Sequence, residues 1–270
     1  MMVSNGYVLS SVLGLGLLVP STMASMNCLA NQEPLGYHPD LMTHMPGFDQ
    51  PFPSKWYSGY LDYELEGRQV HTHYVLVEAE DNLGSDKPLI YWSNGGPGAS
   101  SLFGLLTELG PLILSDESLK TENFQKTGIP TPIYNPYTWS RLGHLLIIDQ
   151  PAPVGFSYCN DDLESHSCGG IAWTDELTSL NAYTALQTFF EKKFPCLLDL
   201  PLYLSGESYA GIYVPTLARR IFHDMIQQKT AIQLQGFAVG DGCLGVETTM
   251  CGGLSRGGGV FRDFWSVLFM

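Results

Sequence analysis

Pro201-Leu202-Tyr203-Leu204-Ser205-Gly206-Glu207-Ser208-Tyr209-Ala210 joins a short apolar run to a helix-like run that extends from Tyr209 to about 228. A strand that turns sharply into a helix with serine at the corner has the form of a nucleophile elbow. Small residues at Gly206 and Ala210 let the backbone bend without a clash. The turn exposes the Ser208 hydroxyl and aims the next backbone N–H, that of Tyr209, at the same point. By itself the pattern G-x-S-x-A is weak, because a serine after glycine is also an ordinary turn residue.

A second glycine-bearing turn stands upstream. Asn94-Gly95-Gly96-Pro97-Gly98-Ala99-Ser100-Ser101 lies between a short apolar strand, Pro88 to Ser93, and a helix-like run, Ser100 to Leu109. It lacks the Lys-Ser/Thr of a P-loop and the G-x-G-x-x-G spacing of a dinucleotide site, so a phosphate cradle is disfavoured. A plain tight turn between strand and helix fits. So does an oxyanion hole, in which one N–H comes from such a loop and the other from the residue after the nucleophile. Two glycine turns that converge on one chemistry favour a serine hydrolase.

The remaining segments alternate in the same way. Lys55 to Glu66 and Val70 to Ala79 alternate apolar and polar residues around a turn at Glu66-Gly67-Arg68, which predicts a β-hairpin. Leu145 to Asp149 is a continuous apolar run of the kind buried on both faces of a parallel sheet, stopped by Asp149-Gln150-Pro151. Trp173 to Phe194 carries apolar residues at helical spacing. Pro215 suits a helix start, so the helix after the elbow is expected to begin near it. Ile232 to Val239 is a further strand. Strands alternating with helices predict an α/β fold with a mostly parallel sheet. Residues 28–55, rich in proline, are expected to form an irregular lead-in.

The chain has 270 residues, enough for one large domain, and is 44% apolar with 15% charged residues, which is a globular composition. Its net charge of −14 argues against nucleic acid and anionic membranes as partners. Tyr7 to Pro20 is nearly all apolar or small, too short to span a bilayer comfortably, and Thr22-Met23-Ala24 offers a cleavage site. Residues 1–24 are therefore expected to be a signal peptide, although no Lys or Arg precedes the apolar run. The six cysteines (Cys28, Cys159, Cys168, Cys196, Cys243 and Cys251) suit a secretory route. They admit fifteen pairings, of which Cys159–Cys168 and Cys243–Cys251 would clip local loops. Without C-x-x-C or histidines at ligand spacing, no metal site is expected.

Five stretches together resemble the serine carboxypeptidase family: Tyr-Trp-Ser-Asn-Gly-Gly-Pro-Gly-Ala-Ser-Ser (91–101), Leu-Leu-Thr-Glu-Leu-Gly-Pro (105–111), Tyr-Asn-Pro-Tyr-Thr-Trp (134–139), Gly-Phe-Ser-Tyr (155–158) and Gly-Glu-Ser-Tyr-Ala-Gly-Ile-Tyr-Val-Pro-Thr-Leu-Ala (206–218). Their order and spacing match as well, over roughly residues 50 to 242. The resemblance implies an α/β-hydrolase fold with a mostly parallel central sheet and flanking helices, incomplete at its C-terminal side, over residues 25–251. It implies Ser208 as nucleophile and the N–H groups of Gly96 and Tyr209 as the oxyanion hole. Asn94, Gly95, Glu108 and Glu207 would hold the free carboxylate of a peptide's C-terminal residue. An ionised Glu would repel that carboxylate, whereas a protonated Glu can donate a hydrogen bond to it, and two Glu side chains sharing a site would raise each other's pKa. On spacing alone, Glu108 would be a solvated helix residue.

The resemblance implies no cofactor. Peptide or protein C-termini are the implied partners, with no membrane partner once the signal is removed, and a homodimer is admitted. The implied location is a lysosome, a vacuole or the extracellular space. Three departures stand out. The family usually has Cys at the position of Ala99. Its Asp and His follow the nucleophile, yet only His223 follows Ser208, inside a helix and without a family motif, so it is expected on the surface. Asp241 is not assigned as the triad acid. The tail, 252–270, carries no family motif, and the chain is expected to be a truncated, inactive fragment. The alternatives are an acyltransferase of the same chemistry, or a non-catalytic protein that binds or protects a partner.

Overall fold

The computed structural model describes residues 38–80, 87–160 and 168–243. The expected signal peptide (1–24), the 252–270 tail, Cys28 and Cys251 lie outside these residues.

The expected hairpin forms from β1 (Trp56–Leu65) and β2 (Arg68–Val77), which pair antiparallel with Leu65 opposite Arg68. Glu66 (φ 51°) and Gly67 (φ 72°) make the turn, the positive-φ pair whose twist matches that of the strands. The sheet continues through β3 (Leu89–Ser93), β6 (His144–Ile148), β7 (Tyr158–Cys159), β8 (Leu202–Glu207) and β9 (Leu234–Gly240). Its seven strands run in the order β1-β2-β6-β3-β8-β9, with β7 beside β2. β6, β3, β8 and β9 are parallel, and the hairpin and β7 are antiparallel. A separate two-stranded sheet pairs β4 (Leu112–Ile113) with β5 (Ile133–Tyr134).

The continuous apolar runs are strands covered on both faces. In β3, Leu89 and Tyr91 enter one core while Ile90 and Trp92 enter the other. In β6, Leu146 and Ile148 face the first core, Leu145 and Ile147 the second. At about 1.5–3 kcal/mol per buried large apolar side chain, these two strands anchor the domain. Over the first core pack α3 (Asp175–Thr188) and α4 (Ala210–Ile226). Over the second packs a short helix, α1 (Leu102–Gly104), which continues as a π-helical turn, Leu105–Leu109. A further short helix, α2 (Glu122–Thr127), lies in the connection from β4 to β5. Thr174 caps α3 by accepting from the Leu177 N–H, and Asp175 and Glu176 complement the positive helix end.

Two expectations need correction. α4 does not begin near Pro215 but runs through it from Ala210. The elbow commits the chain to helix at once: the N–H groups of Gly211 and Ile212 donate to Ser208 O and Tyr209 O, at 2.9 Å each. Those bonds precede the one that proline cannot make, so its cost falls near a helix end. The last strand is shifted, spanning Leu234–Gly240, with Ile232 buried ahead of it. Of the disulfides, Cys159–Cys168 is present, and Cys196 and Cys243 are also disulfide-bonded.

Candidate active site

The elbow is built as the chain predicts. Ser208 sits between β8 and α4 at φ 57°, a left-handed conformation uncommon outside glycine, and its side chain is exposed. Its N–H donates to Gly240 O at 3.0 Å and its carbonyl accepts from Cys243 N at 2.8 Å, so both flanks of the strained residue are pinned. A Cβ at Gly206 would lie 2.4 Å from Ser93 O and 2.6 Å from the Ala210 Cβ, so the two small residues are a steric requirement of the bend.

The glycine loop touches the elbow. A Cβ at Gly95 would lie 2.3 Å from Tyr209 N and 3.0 Å from the Ser208 Cβ, which only glycine avoids. Gly96 has φ 113°, and Ala99 N donates to Gly95 O at 3.1 Å, closing the turn. The Tyr213 hydroxyl, its pKa pushed up to about 12 by burial, accepts from the Gly98 backbone. Tyr213 in turn packs edge-on against Tyr209, at 5.1 Å between ring centroids. The Tyr209 hydroxyl donates to Asp175 Oδ1 at 2.8 Å. Loop, elbow and the start of α3 are thus tied together by two tyrosines.

Sheet register explains the next contact. Ser93 lies opposite Gly206 in the parallel β3–β8 pair, so the following residues, Asn94 and Glu207, emerge side by side. Asn94 Nδ2 donates to Glu207 Oε1 at 2.8 Å. Asn94 Oδ1 accepts from Trp92 Nε1 at 2.9 Å and from Gly104 N at 3.0 Å, so the amide has one orientation. Glu108 stands on the π-helical turn, exposed, with its carboxyl pKa raised by partial burial first and by the charge of Glu207 second. The sequence-predicted residues Asn94, Gly95, Gly96, Glu207, Ser208 and Tyr209 are therefore contiguous, and Glu108 is near enough to feel the charge of Glu207.

Among the described residues no histidine hydrogen-bonds to Ser208. His223 is exposed and bonds to Asp224 Oδ1 (3.1 Å) and to Gln227 Nε2 (2.8 Å), as expected for a surface residue. Asp241 follows β9 at φ 46° and is exposed. Sequence reasoning missed the contacts of Tyr213 and Asp175.

The profile of the family described as "Serine carboxypeptidase" matches residues 46–254. The chain is 38% identical over 203 residues to the mouse (Mus musculus) "Lysosomal protective protein", covering 75% of this chain and 37% of that protein. It is 37% identical to Arabidopsis thaliana "Serine carboxypeptidase-like 21", covering 75% of this chain and 38% of that one. The chain thus spans well under half the length of these relatives. Among solved structures, a prohormone-processing carboxypeptidase from Saccharomyces cerevisiae superposes with a TM-score of 0.60 at 29% identity, over 70% of this chain and 39% of that one. The sheet order, the strand–serine–helix corner and these matches together assign an α/β-hydrolase fold, and the chain belongs to the serine carboxypeptidase family.

Proposed function

We propose that this chain carries the nucleophile half of a serine-type carboxypeptidase site that removes C-terminal residues from peptides in an acidic compartment. The observation that supports it most is the pairing of the left-handed Ser208 corner with an Asn94-bridged Glu207 one residue away. A nucleophile alone would serve any acyl transfer. A carboxyl group beside it, coupled to the raised pKa of Glu108, suits a substrate that ends in a carboxylate.

In this reading Ser208 Oγ attacks the last peptide carbonyl as its proton passes to a general base. The N–H groups of Gly96 and Tyr209 receive the oxyanion that forms. The base returns that proton to the amide nitrogen as the C–N bond breaks, the C-terminal residue leaves with a free amino group, and water, deprotonated by the same base, hydrolyses the acyl-enzyme to release the shortened peptide acid and restore the hydroxyl. Asn94, Gly95, Glu108 and Glu207 hold the departing residue's carboxylate, the two Glu groups doing so while one of them is protonated. No described histidine bonds to Ser208, so the reading requires a base from outside the described residues. The disulfides favour delivery through the secretory pathway to a lysosome-like or vacuolar compartment or to the cell exterior.

The test is made on the full gene product. It should hydrolyse a blocked dipeptide with a free C-terminus and react with a fluorophosphonate at Ser208. Ser208→Ala should end labelling and reduce kcat by about a millionfold. Hydrolysis that survives Ser208→Ala, or labelling at another serine, would sink the assignment.

A further inference from the structure

Behind the glycine loop lies a buried carboxylate that the proposed reaction does not use. Asp149 follows the last residue of β6 and is 1% exposed. Its Oδ1 accepts from Ser100 Oγ at 2.6 Å and from Ser101 N at 3.0 Å. Its Oδ2 faces His73 Nδ1 at 3.4 Å, and His73 Nε2 meets Ser58 Oγ at 2.9 Å. The backbone is locked to the same partners: Asp149 N donates to His73 O at 3.0 Å, and Ser157 Oγ donates to Asp149 O at 2.6 Å while accepting from His73 N at 2.8 Å. Ser101 Oγ in turn accepts from Asn94 N at 3.1 Å. An unbroken line of contacts therefore runs from the outer hairpin through Asp149 to the residue that precedes Gly95 and Gly96.

A carboxylate taken out of water is costly unless donors surround it. Here the donors are the two serines of the turn that closes the glycine loop. The loop joins β3 to α1, Tyr213 holds Gly98 on the elbow side, and the Asp149 contacts hold Ser100 and Ser101 from behind. We propose that Asp149 is a positioning residue. Through Ser100 and Ser101 it sets the position of the Gly95–Gly96 backbone against Ser208, with His73 and Ser58 holding Asp149 from behind. This rests on the carboxypeptidase reading. An oxyanion donor works only within hydrogen-bond reach of the developing charge, so a displaced Gly96 N–H lowers kcat steeply, while Gly95 on the same turn allows only a smaller rise in KM.

Ser100→Ala removes the 2.6 Å contact from a partly buried position, and Ser100→Thr restores a hydroxyl there. Both variants of the full gene product are compared with the parent for kcat and KM on a blocked dipeptide, and for melting temperature. For Ser100→Ala the expected result is a fall in kcat of about tenfold to a hundredfold with KM held within about threefold, and recovery of most of the rate in Ser100→Thr. An unchanged kcat overturns the proposal. So does a loss confined to KM, or a loss that follows melting temperature and is not recovered by threonine. If the parent neither hydrolyses peptides nor labels at Ser208, the carboxypeptidase reading fails on its own. Amide hydrogen exchange at Gly95, Gly96 and Gly98 then decides the positioning role: faster exchange in Ser100→Ala upholds it, and unchanged exchange overturns it.

Discussion

Glu108 is exposed overall, but partial desolvation of its carboxyl and the charge of Glu207 push its pKa the same way, up from the ordinary range. The protonated form donates to a substrate carboxylate and the ionised form repels it. With a raised pKa, the donor persists to higher pH than in a free glutamate and is lost as pH rises through that value. KM for peptides with a free C-terminus should therefore climb with pH, while peptide amides should show little of the rise. Glu108→Gln keeps a donor at every pH and should flatten the KM profile of free peptides. Identical profiles for free and amidated substrates would remove Glu108 from the site. The two turns that carry Ser208, Asn94, Gly95 and Glu207 were legible because the chain itself announces their geometry, whereas the carboxylate-binding roles of Asn94, Gly95 and Glu207 were implied only by the family resemblance. Glu108 was legible only through the family pattern, since helical spacing makes it a solvated residue. Asp149 was legible only as a strand terminator. Its partners Ser100 and Ser101 stand 49 and 48 residues away, and no local rule pairs residues at that separation.

At the level of elements, the apolar spacing located β1, β2, β3, β6, β8, α3 and α4, because alternating strands, continuous apolar strands and helices leave distinct spacings. α4 starts earlier than the proline rule implies because the elbow supplies hydrogen bonds ahead of Pro215. What joins the elements was not legible at all. The Tyr63 hydroxyl, on β1, donates to Asn181 Oδ1 on α3 at 2.8 Å and pairs with Thr72 Oγ1 on β2 at 2.6 Å. Asn181 is fully buried. Tyr63→Phe leaves that amide oxygen short of its donor, so it should cost about 1–3 kcal/mol in denaturant unfolding. A change below the noise of the titration would show the contact to be incidental. The contact between glycine loop and elbow makes a sharper case. The added methyl of Gly95→Ala meets the Tyr209 backbone rather than the end of a flexible side chain, so the two turns must part. Fluorophosphonate labelling of Ser208 should slow by about a hundredfold or more, the scale of losing one oxyanion donor. Labelling at the parental rate would separate the loop from the chemistry.

Over the whole molecule, the two faces of the sheet are unequally covered. The first core extends under β8 and β9 through Leu204, Phe237 and Val239, whereas the second core includes no residue of either strand. On that second side Tyr203 is 43% exposed, although β8 is an interior strand of the sheet, and a Cβ at Gly236 would lie 3.9 Å from its ring. Among the described residues the outer edge of β9 has no partner strand. Leu-Gln-Gly-Phe-Ala-Val-Gly carries neither a charge nor a proline, the devices that keep an edge from pairing with another chain. A mostly parallel sheet was legible from strands alternating with helices, but the open edge was expected only through the family resemblance, because an uncharged apolar strand has the same composition whether its neighbour is solvent or protein. Residues 1–270 expressed by themselves should therefore self-associate. With no described base at Ser208, they should also show at most the residual catalysis of a hydrolase lacking a triad member, about 10³–10⁴-fold over water, and no measurable peptide turnover. Sedimentation of the purified chain checks the first point, and a blocked-dipeptide assay beside the full gene product checks the second. Gln235→Lys puts a charge on the exposed edge without touching either core, so it should shift the chain toward monomer while leaving turnover absent. If the unmodified chain is monodisperse, the edge is protected by something other than charge. If it also turns over substrate at a rate comparable to the full gene product, a base for Ser208 lies within these 270 residues and the requirement for one outside the described residues must be reconsidered.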